Sequence, residues 1–338
     1  MPICHAPEDL PVLLLCNINP EWEGPDREVA QLTNNQMASA LNTAGHPVDV
    51  IEITESRLEP FLSSFSPADK IIFNQCESIP SLHHSEHEAA RIIESMGFTY
   101  TGSGPDALSL AEDKTRVKQI LESFNIPTPA WKLYDYPSAH DWNLFPAIVK
   151  TSLEHCSISL DPGSVVMNRK ELESRIEYIL DNFNQPAIVE VFIDGREFHV
   201  PLCGNGKVEM MPVVEMDFSA FSDIHDRLCT YDSKFDPLSP HYNKIESRIP
   251  APLNNTELLN LEKICLNAYH AIGCRDYARL DVREQGGLFY VLDVNPNPDL
   301  DIEASMACSA AHCGISYPDM MSYLVNLAAY RHPVFKHM

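Results

Sequence analysis

The ten cysteines of this 338-residue chain include no CxxC pair and follow no regular spacing, which argues against both a disulfide framework and a zinc motif. They read as reduced, mostly buried thiols. The closest pair, Cys308 and Cys313 with His312 between them, is expected on or at the end of a helix. Basic residues are scarce: 24 Lys plus Arg stand against 48 Asp plus Glu, a formal charge of −24. Nucleic acids and anionic membranes select for basic surface, so neither is expected as a partner. No apolar run approaches the roughly 20 residues that span a bilayer, and Met1-Pro2-Ile3-Cys4-His5 lacks the basic and apolar regions of a signal peptide. A cytoplasmic protein is the expectation. Its length exceeds what one core usually serves, roughly 250 to 300 residues, so two or three domains sharing clefts are expected.

What the chain does have is concentrated near its end. Asp276 to Arg283 and Leu288 to Asp299 flank a Gly286-Gly287 turn and alternate apolar with polar residues, as a β-hairpin does. A period of two places Arg279 and Asp281 of the first strand on one side with Asp293 and Asn295 of the second. Two carboxylates and an amide oxygen beside an arginine suit a hard, oxygen-seeking cation carrying phosphate. A solvent-facing hairpin with scattered charges fits the same pattern. Pro296 and Pro298 end the strand and fix the chain after Asn295, which favours the first reading.

Upstream, Leu10 to Ile18 reads as a buried parallel strand, a helix runs from Asp26 through Val29, Leu32, Met37, Ala40 and Leu41 to Gly45, and Val48 to Ile53 restarts a strand. A third strand, Lys70 to Asn74, precedes a helix from about Glu86 to Met96 closed by Gly97. The first hundred residues thus form a small open α/β unit. The His83-His84-Ser85-Glu86-His87-Glu88 segment has a metal-like composition, but acids at a helix start and solvated histidines explain it better. A helix from Leu108 carries Asp113-Lys114-Thr115-Arg116-Val117-Lys118 and ends before the prolines of Asn125 to Pro129. The strand Phe145 to Lys150 ends in a lysine placed to meet a phosphate. Ile188 to Ile193 begins a meander with Asp194-Gly195 and Asn205-Gly206 as hairpin turns, Glu190 and Glu197 flanking the first.

Several of these pieces, in this order, resemble the ATP-grasp superfamily and within it the D-alanine:D-alanine ligase group. They are Gly24-Pro25-Asp26-Arg27-Glu28-Val29, Tyr100-Thr101-Gly102-Ser103, Asp113-Lys114, Ile126-Pro127-Thr128-Pro129, Phe145 to Lys150, Val189 to Phe198, Gly273 to Asp281 and Val291 to Pro298. The resemblance implies three α/β domains, over about 8–104, 105–192 and 193–335, with ATP between two antiparallel sheets. It implies a homodimer that joins a small carboxylate to an amine through an acyl-phosphate, with ATP and Mg²⁺ or Mn²⁺. Carried over by position, Lys114 and Lys150 contact ATP phosphates, Glu190 with the backbone of Phe192 and Ile193 lines the adenine slot, and Glu197 holds the ribose. Lys234 resembles the mobile-loop lysine that reaches the γ-phosphate. Asp281, Asp293 and Asn295 match the metal ligands, Arg279 the arginine that steadies the tetrahedral intermediate, and Glu28 the carboxylate near the first substrate's ammonium. Three lysines, an arginine and a metal meet what phosphoryl transfer asks, positioning and charge neutralisation.

Two places depart from that pattern. The phosphate-covering loop of the ligases is rich in glycine and serine, whereas Thr151 to Ser159 contains no glycine, and Ser157 and Ser159 must supply the small-residue freedom. Asp299 stands where the ligases place a glycine whose N–H helps bind the oxyanion, with Asp301 and Glu303 opening a helix through Cys313. Three acids there would answer the helix dipole themselves and repel another anion, unless they are ordinary capping residues turned to solvent. An acceptor other than free D-alanine, cationic or with its carboxylate blocked, follows from the first reading. A nucleotide-binding protein without ligation, and a phosphotransferase using the same grip, are the other two functions this sequence allows.

Overall fold

The computed structural model describes residues 9–18, 24–154, 157–236 and 238–337. Strand β1 (Val12–Asn17), helix α1 (Gly24–Thr43), β2 (Val48–Ile53), α2 (Glu59–Leu62), β3 (Ile71–Gln75), α3 (Glu86–Ser95) and β4 (Thr99–Tyr100) build a parallel sheet in the order β2-β1-β3-β4. The continuously apolar Val12 to Cys16 is buried on both faces, as a parallel strand covered by helices requires. Gly45 and Gly97 end α1 and α3 at φ of 95° and 83°, a backbone region that glycine enters without a Cβ penalty. Not all of the expected helix face is buried. Met37, Ala40 and Leu41 are in the core, but Val29 and Leu32 remain 64% and 59% exposed.

The single helix expected from Leu108 is two, α4 (Pro105–Glu112) and α5 (Lys114–Ser123). Asp113 breaks it: its backbone is extended at ψ of 100°, and its carboxylate caps the amides of Thr115 and Arg116 at 2.9 and 3.2 Å. Next come β5 (Trp131–Tyr134), β6 (Ala147–Thr151), β7 (Val165–Val166), α6 (Arg169–Phe183) and β8 (Ala187–Val191), an antiparallel sheet in the order β5-β8-β6-β7 backed by α6.

The third sheet is made by β9 (Arg196–Gly204), β10 (Glu209–Met210) and β11 (Val214–Asp217), then, after the short helices α7 (Asp232–Phe235) and α8 (Pro240–Lys244), by β12 (Glu246–Arg248). Helix α9 (Asn255–Ile272) leads to β13 (Asp276–Gln285) and β14 (Leu288–Asn295), and the strands pair antiparallel as β12-β11-β9-β13-β14, with β10 on β9. Asn205-Gly206 is indeed the β9–β10 hairpin turn. Asp194-Gly195 is not a hairpin: β8 pairs with β5 and β6, whereas β9 pairs with β11 and β13, so these residues carry the chain from one sheet to the other. Period and turn residues cannot distinguish a strand's return to its own sheet from a crossing to a second one. A Cβ on Gly195 would lie 1.8 Å from the Glu284 carbonyl oxygen, so the crossing passes too close to β13 for any other residue.

The chain closes with α10 (Ser305–His312) and α11 (Tyr317–Ala329). Helix α11 returns to the first sheet, and Leu324, Val325 and Ala328 share a core with Leu14, Phe73 and Met37. Helix α9 instead covers the back of β9, β13 and β14, where Phe198, Val200, Leu280, Val282 and Val291 pack on Leu261 and Cys265. The opposite face of those strands is left for polar side chains.

Candidate active site

Alternation along β9 buries Phe198, Val200 and Leu202 under α9 and turns Glu197 and His199 the other way. On β13 the same rule turns Arg279, Asp281 and Arg283 out of the core that holds Ala278, Leu280 and Val282. Strand β14 obeys it only through a bulge. Asp281 pairs with Asp293, but Val282 pairs with Val291, so Leu292 is the extra residue. Without that insertion Asp293 would lie on the same face as Phe289 and Val291, in the core. The bulge delivers both Leu292 and Asp293 to the cleft, where strict alternation of the sequence had suggested no interruption.

This polar face looks across a cleft toward β6 and β8, which contribute Ile148, Lys150, Glu190 and Val191. Phe192 and Ile193, just past β8, close its back. The Phe192 N–H donates to the Pro146 carbonyl at 2.9 Å, and the Ile193 carbonyl accepts from Gly195 N and from Arg283 Nη1, at 2.9 and 2.8 Å. Glu197 is fixed by Arg283, whose Nε donates to Oε2 at 2.7 Å. The same guanidinium lies 4.6 Å from the Phe192 ring centre, so Arg283 ties the sheet-to-sheet crossing to the residue expected to hold a ribose.

Lys150 leaves the end of β6 with its Nζ 3.4 Å from Glu190 Oε1 and 3.7 Å from Asp293 Oδ2. Burial would lower its pKa, but the two carboxylates outweigh burial and hold it above the usual lysine value. Behind it, Lys118 Nζ donates to Glu190 Oε2 at 2.9 Å and to Thr128 Oγ1 at 2.8 Å. Here burial wins over Glu190 and lowers the pKa. Lys114, one turn earlier on α5, donates to the Glu154 carbonyl in the glycine-free loop, and burial lowers its pKa as well. That loop turns on serine: Ser157 and Ser159 adopt φ of 62° and 73°, the left-handed region where glycine is favoured. Each is held there by its hydroxyl. Ser157 Oγ donates to the Cys229 carbonyl at 2.9 Å, and Ser159 Oγ accepts from Thr151 N at 3.2 Å.

Asp281 and Asp293 face each other directly across the β13–β14 pair, as do Arg279 and Asn295. Arg279 grips Asp281 with both arms, Nε to Oδ1 at 2.7 Å and Nη2 to Oδ2 at 3.0 Å. Burial would raise the Asp281 pKa, but Arg279 and then His199 reverse it and keep the carboxyl ionised. Asn295 donates Nδ2 to Asp281 Oδ2 and to the Arg279 carbonyl, both at 3.2 Å, which commits its amide nitrogen to the protein and presents Oδ1 as its ligand atom. Facing carboxylates on neighbouring strands are unfavourable without a cation between them. Asp281 Oδ1 keeps a lone pair beyond its arginine bond, whereas Oδ2 accepts from both Arg279 and Asn295. An all-oxygen set of Asp281, Asp293 and Asn295 therefore fits a hard divalent cation such as Mg²⁺.

The remaining expected residues lie outside this cluster. Glu28 is exposed on the first turns of α1, five residues before Thr33, whose hydroxyl lies 3.3 Å from Asp301 Oδ2. Lys234 belongs to α7, and its side chain falls outside the described residues. The acids after β14 do not open a helix: α10 begins only at Ser305, with Ala304 at its cap. Instead Asp299 Oδ1 accepts from Asp301 N at 2.8 Å and Asp301 Oδ1 from Glu303 N at 2.9 Å, so these carboxylates cap successive turns ahead of the helix. The histidine-rich segment forms no metal-type cluster among the described residues, and His87 pairs with Glu112 at 3.0 Å.

The family model for the D-ala D-ala ligase C-terminus matches residues 127–326, more than half of the chain and the whole β9–β14 wall. The chain belongs to the D-alanine–D-alanine ligase family. Within that family it is 30% identical over 322 residues to the D-alanine–D-alanine ligase of Desulforudis audaxviator, covering 90% of this chain and 95% of the relative. The corresponding enzyme of Marinomonas sp. is 28% identical over 313 residues, covering 90% and 92%. An uncharacterized protein, y4sG, of Sinorhizobium fredii is 30% identical over 311 residues, covering 88% of each chain. The crystal structure of D-alanine–D-alanine ligase from Bacillus anthracis complexed with ATP superposes with a TM-score of 0.72, over 96% of this chain and 98% of that one, at 20% identity. The fold is ATP-grasp, as the order of motifs implied. No helix among the described residues is long and apolar enough to cross a membrane.

Among the residues that sequence reasoning missed are Arg283 and His199, which line the cleft, and Lys118, buried behind Glu190. Each continues a period already in hand. Lys118 lies one helical turn after Lys114, Arg283 two residues after Asp281, and His199 two residues after Glu197.

Proposed function

We propose that this protein is an ATP-dependent carboxylate–amine ligase that activates a carboxylate as its acyl-phosphate, joins it to an amine and releases ADP and phosphate. The observation that carries the reading is the facing pair Asp281 and Asp293, with Arg279 clamped on one and Lys150 3.7 Å from the other. Opposed acids bracketed by cations are what a metal-bound polyphosphate requires. Lys114, Lys150 and Lys234 would neutralise the phosphates, with Ser157 closing the loop over them. Glu190, Phe192 and Ile193 would line the adenine slot, and Glu197 would take the ribose hydroxyls. Mg²⁺ held by Asp281, Asp293 and Asn295 would supply further charge neutralisation at the transferring phosphoryl group. Arg279 would stabilise the oxyanion that forms when the amine attacks, and Glu28 would hold the ammonium of the first substrate.

The acceptor is proposed to differ from free D-alanine. Asp299, Asp301 and Glu303 crowd the approach to α10, and Asp299 is close enough to help raise the pKa of Arg279. A cationic amine, or an amino acid with its carboxylate blocked, suits that field better than an anion does. Phosphate release measured over a panel of carboxylates with amino acids, amino-acid amides and polyamines tests both parts. Amine-dependent release with an amide product is expected, strongest with cationic or blocked acceptors. Preference for free D-alanine would remove the acceptor reading. Phosphorylated product without amide would convert the enzyme to a phosphotransferase, and no turnover with any amine would leave a nucleotide binder.

A further inference from the structure

One wall of the cleft carries a donor set that phosphate and Mg²⁺ chemistry does not call for. Glu197 and His199 alternate on β9 and so share its cleft face, and Cys229 approaches from the segment between β11 and α7. A carboxylate oxygen, an imidazole nitrogen and the thiol sulfur of these three lie within 4.8 Å of one another. Around a tetrahedral Zn²⁺, with bonds of about 2.0–2.3 Å, neighbouring ligand atoms are separated by roughly 3.3–3.8 Å. Glu197 is held by Arg283 through Oε2 and His199 by Ser305, so closing that difference falls mainly to the Cys229 side chain. His199 is already oriented: Nδ1 is 2.8 Å from Ser305 Oγ, and Nε2 faces Asp281 Oδ1 at 3.9 Å. An outer hydrogen bond on one ring nitrogen, with the other presented to the site, is the usual arrangement of a metal-binding histidine. The sulfur decides the class of ion. Mg²⁺ and Ca²⁺ take oxygen, whereas a mixed S, N, O set selects zinc and its neighbours in the first transition row.

We propose that Glu197, His199 and Cys229 form a binding site for a thiophilic divalent metal of the Zn²⁺ class inside the nucleotide cleft. The ligand set stands on geometry alone. Its overlap with nucleotide rests on the reading of Glu197 as the ribose-binding residue, so metal and nucleoside should exclude each other.

The test uses Co²⁺ as a spectroscopic stand-in for Zn²⁺ on the reduced, full-length protein. Co²⁺ should give a thiolate-to-cobalt charge-transfer absorption that Cys229→Ala abolishes, that His199→Gln weakens at least tenfold in affinity, and that Cys313→Ser leaves unchanged. Cys313, exposed beside His312, is a competing sulfur–nitrogen pair among the described residues. Circular dichroism of each variant separates lost ligand from lost fold. Absence of the band at saturating Co²⁺, its survival in folded Cys229→Ala, or its loss in Cys313→Ser would overturn the site. Adenosine, which lacks phosphates to chelate the probe, should raise the apparent Co²⁺ dissociation constant. A Cys229-dependent band indifferent to adenosine would uphold the ligand set and overturn its overlap with the nucleoside, thereby counting against the nucleotide reading and not against the metal site.

Discussion

Lys118 Nζ lies 2.9 Å from Glu190 Oε2, and each side chain is only 1% exposed. Glu190 is shared, because Lys150 approaches its other oxygen at 3.4 Å. A pair this deep is costly to break singly, since the survivor is left charged and buried. Lys118→Met should therefore lower the unfolding free energy by about 3 kcal/mol, the lower end of the range for such pairs because Lys150 remains as a partial partner. In urea denaturation the double variant Lys118→Met with Glu190→Gln should recover most of the loss. Simple additivity of the two single effects would show that the charges are not coupled.

Removing the Asp281 charge tests the cleft chemistry. Asp281→Asn keeps the shape of the side chain but weakens both the proposed metal site and the Arg279 clamp. Turnover should fall at least about 100-fold, with a folded circular-dichroism spectrum retained. A variant that stays active and still responds to Mg²⁺ would place the metal elsewhere.

The serine turn makes a prediction about backbone. Ser157→Gly relieves a φ of 62° but forfeits the hydroxyl bond to Cys229, two effects of opposite sign and about 1 kcal/mol each, so stability should change little. Ser157→Val adds a branched side chain where φ is positive, and should raise the KM for ATP markedly more than the glycine variant does. Equal KM values for the two would show that this conformation is unimportant to nucleotide binding.

Glu86 supplies a pH dependence. Its carboxylate accepts from Asn297 Nδ2 at 2.9 Å, yet burial first, then Glu77 and Glu112, push its pKa up to about 8. A raised carboxyl pKa means that the folded state holds the proton more tightly than the unfolded chain. Stability from this group is complete below the ordinary value of 4.5 and is lost as the pH climbs through about 8. Glu86→Gln is always neutral and can still accept from Asn297. Thermal melts of variant and parent should therefore diverge in the variant's favour between those two pH values and run parallel above them. Parallel melts throughout would mean that Glu86 is ionised at neutral pH.

Much of this was legible because period and turn chemistry are local. Gly286 and Gly287, both at positive φ, mark the hairpin that brings Asp281 opposite Asp293. What stayed hidden depends on contacts distant in sequence. Leu292 looks like an ordinary alternating residue, and only the pairing with β13 reveals it as the bulge that turns Asp293 outward. Asp194-Gly195 has the residues of a hairpin turn, and only the partners of β8 and β9 show a crossing between sheets. Lys118 reads as a helix-surface lysine until Glu190, 72 residues away, is placed over it.

That crossing also acts as a ruler. Val191 ends one wall of the cleft and Arg196 begins the other, so the two are never more than roughly 18 Å apart along a fully extended backbone, five residue steps long. Gly195 pressed against Glu284, and Arg283 bonded to Ile193, keep that short link folded against the second wall. The two sheets are thus bound like the covers of a book at one edge. On the proposed reading, the base would lie at that hinged edge beside Phe192 and Ile193, and the phosphates toward Asp281 and Asp293, away from it.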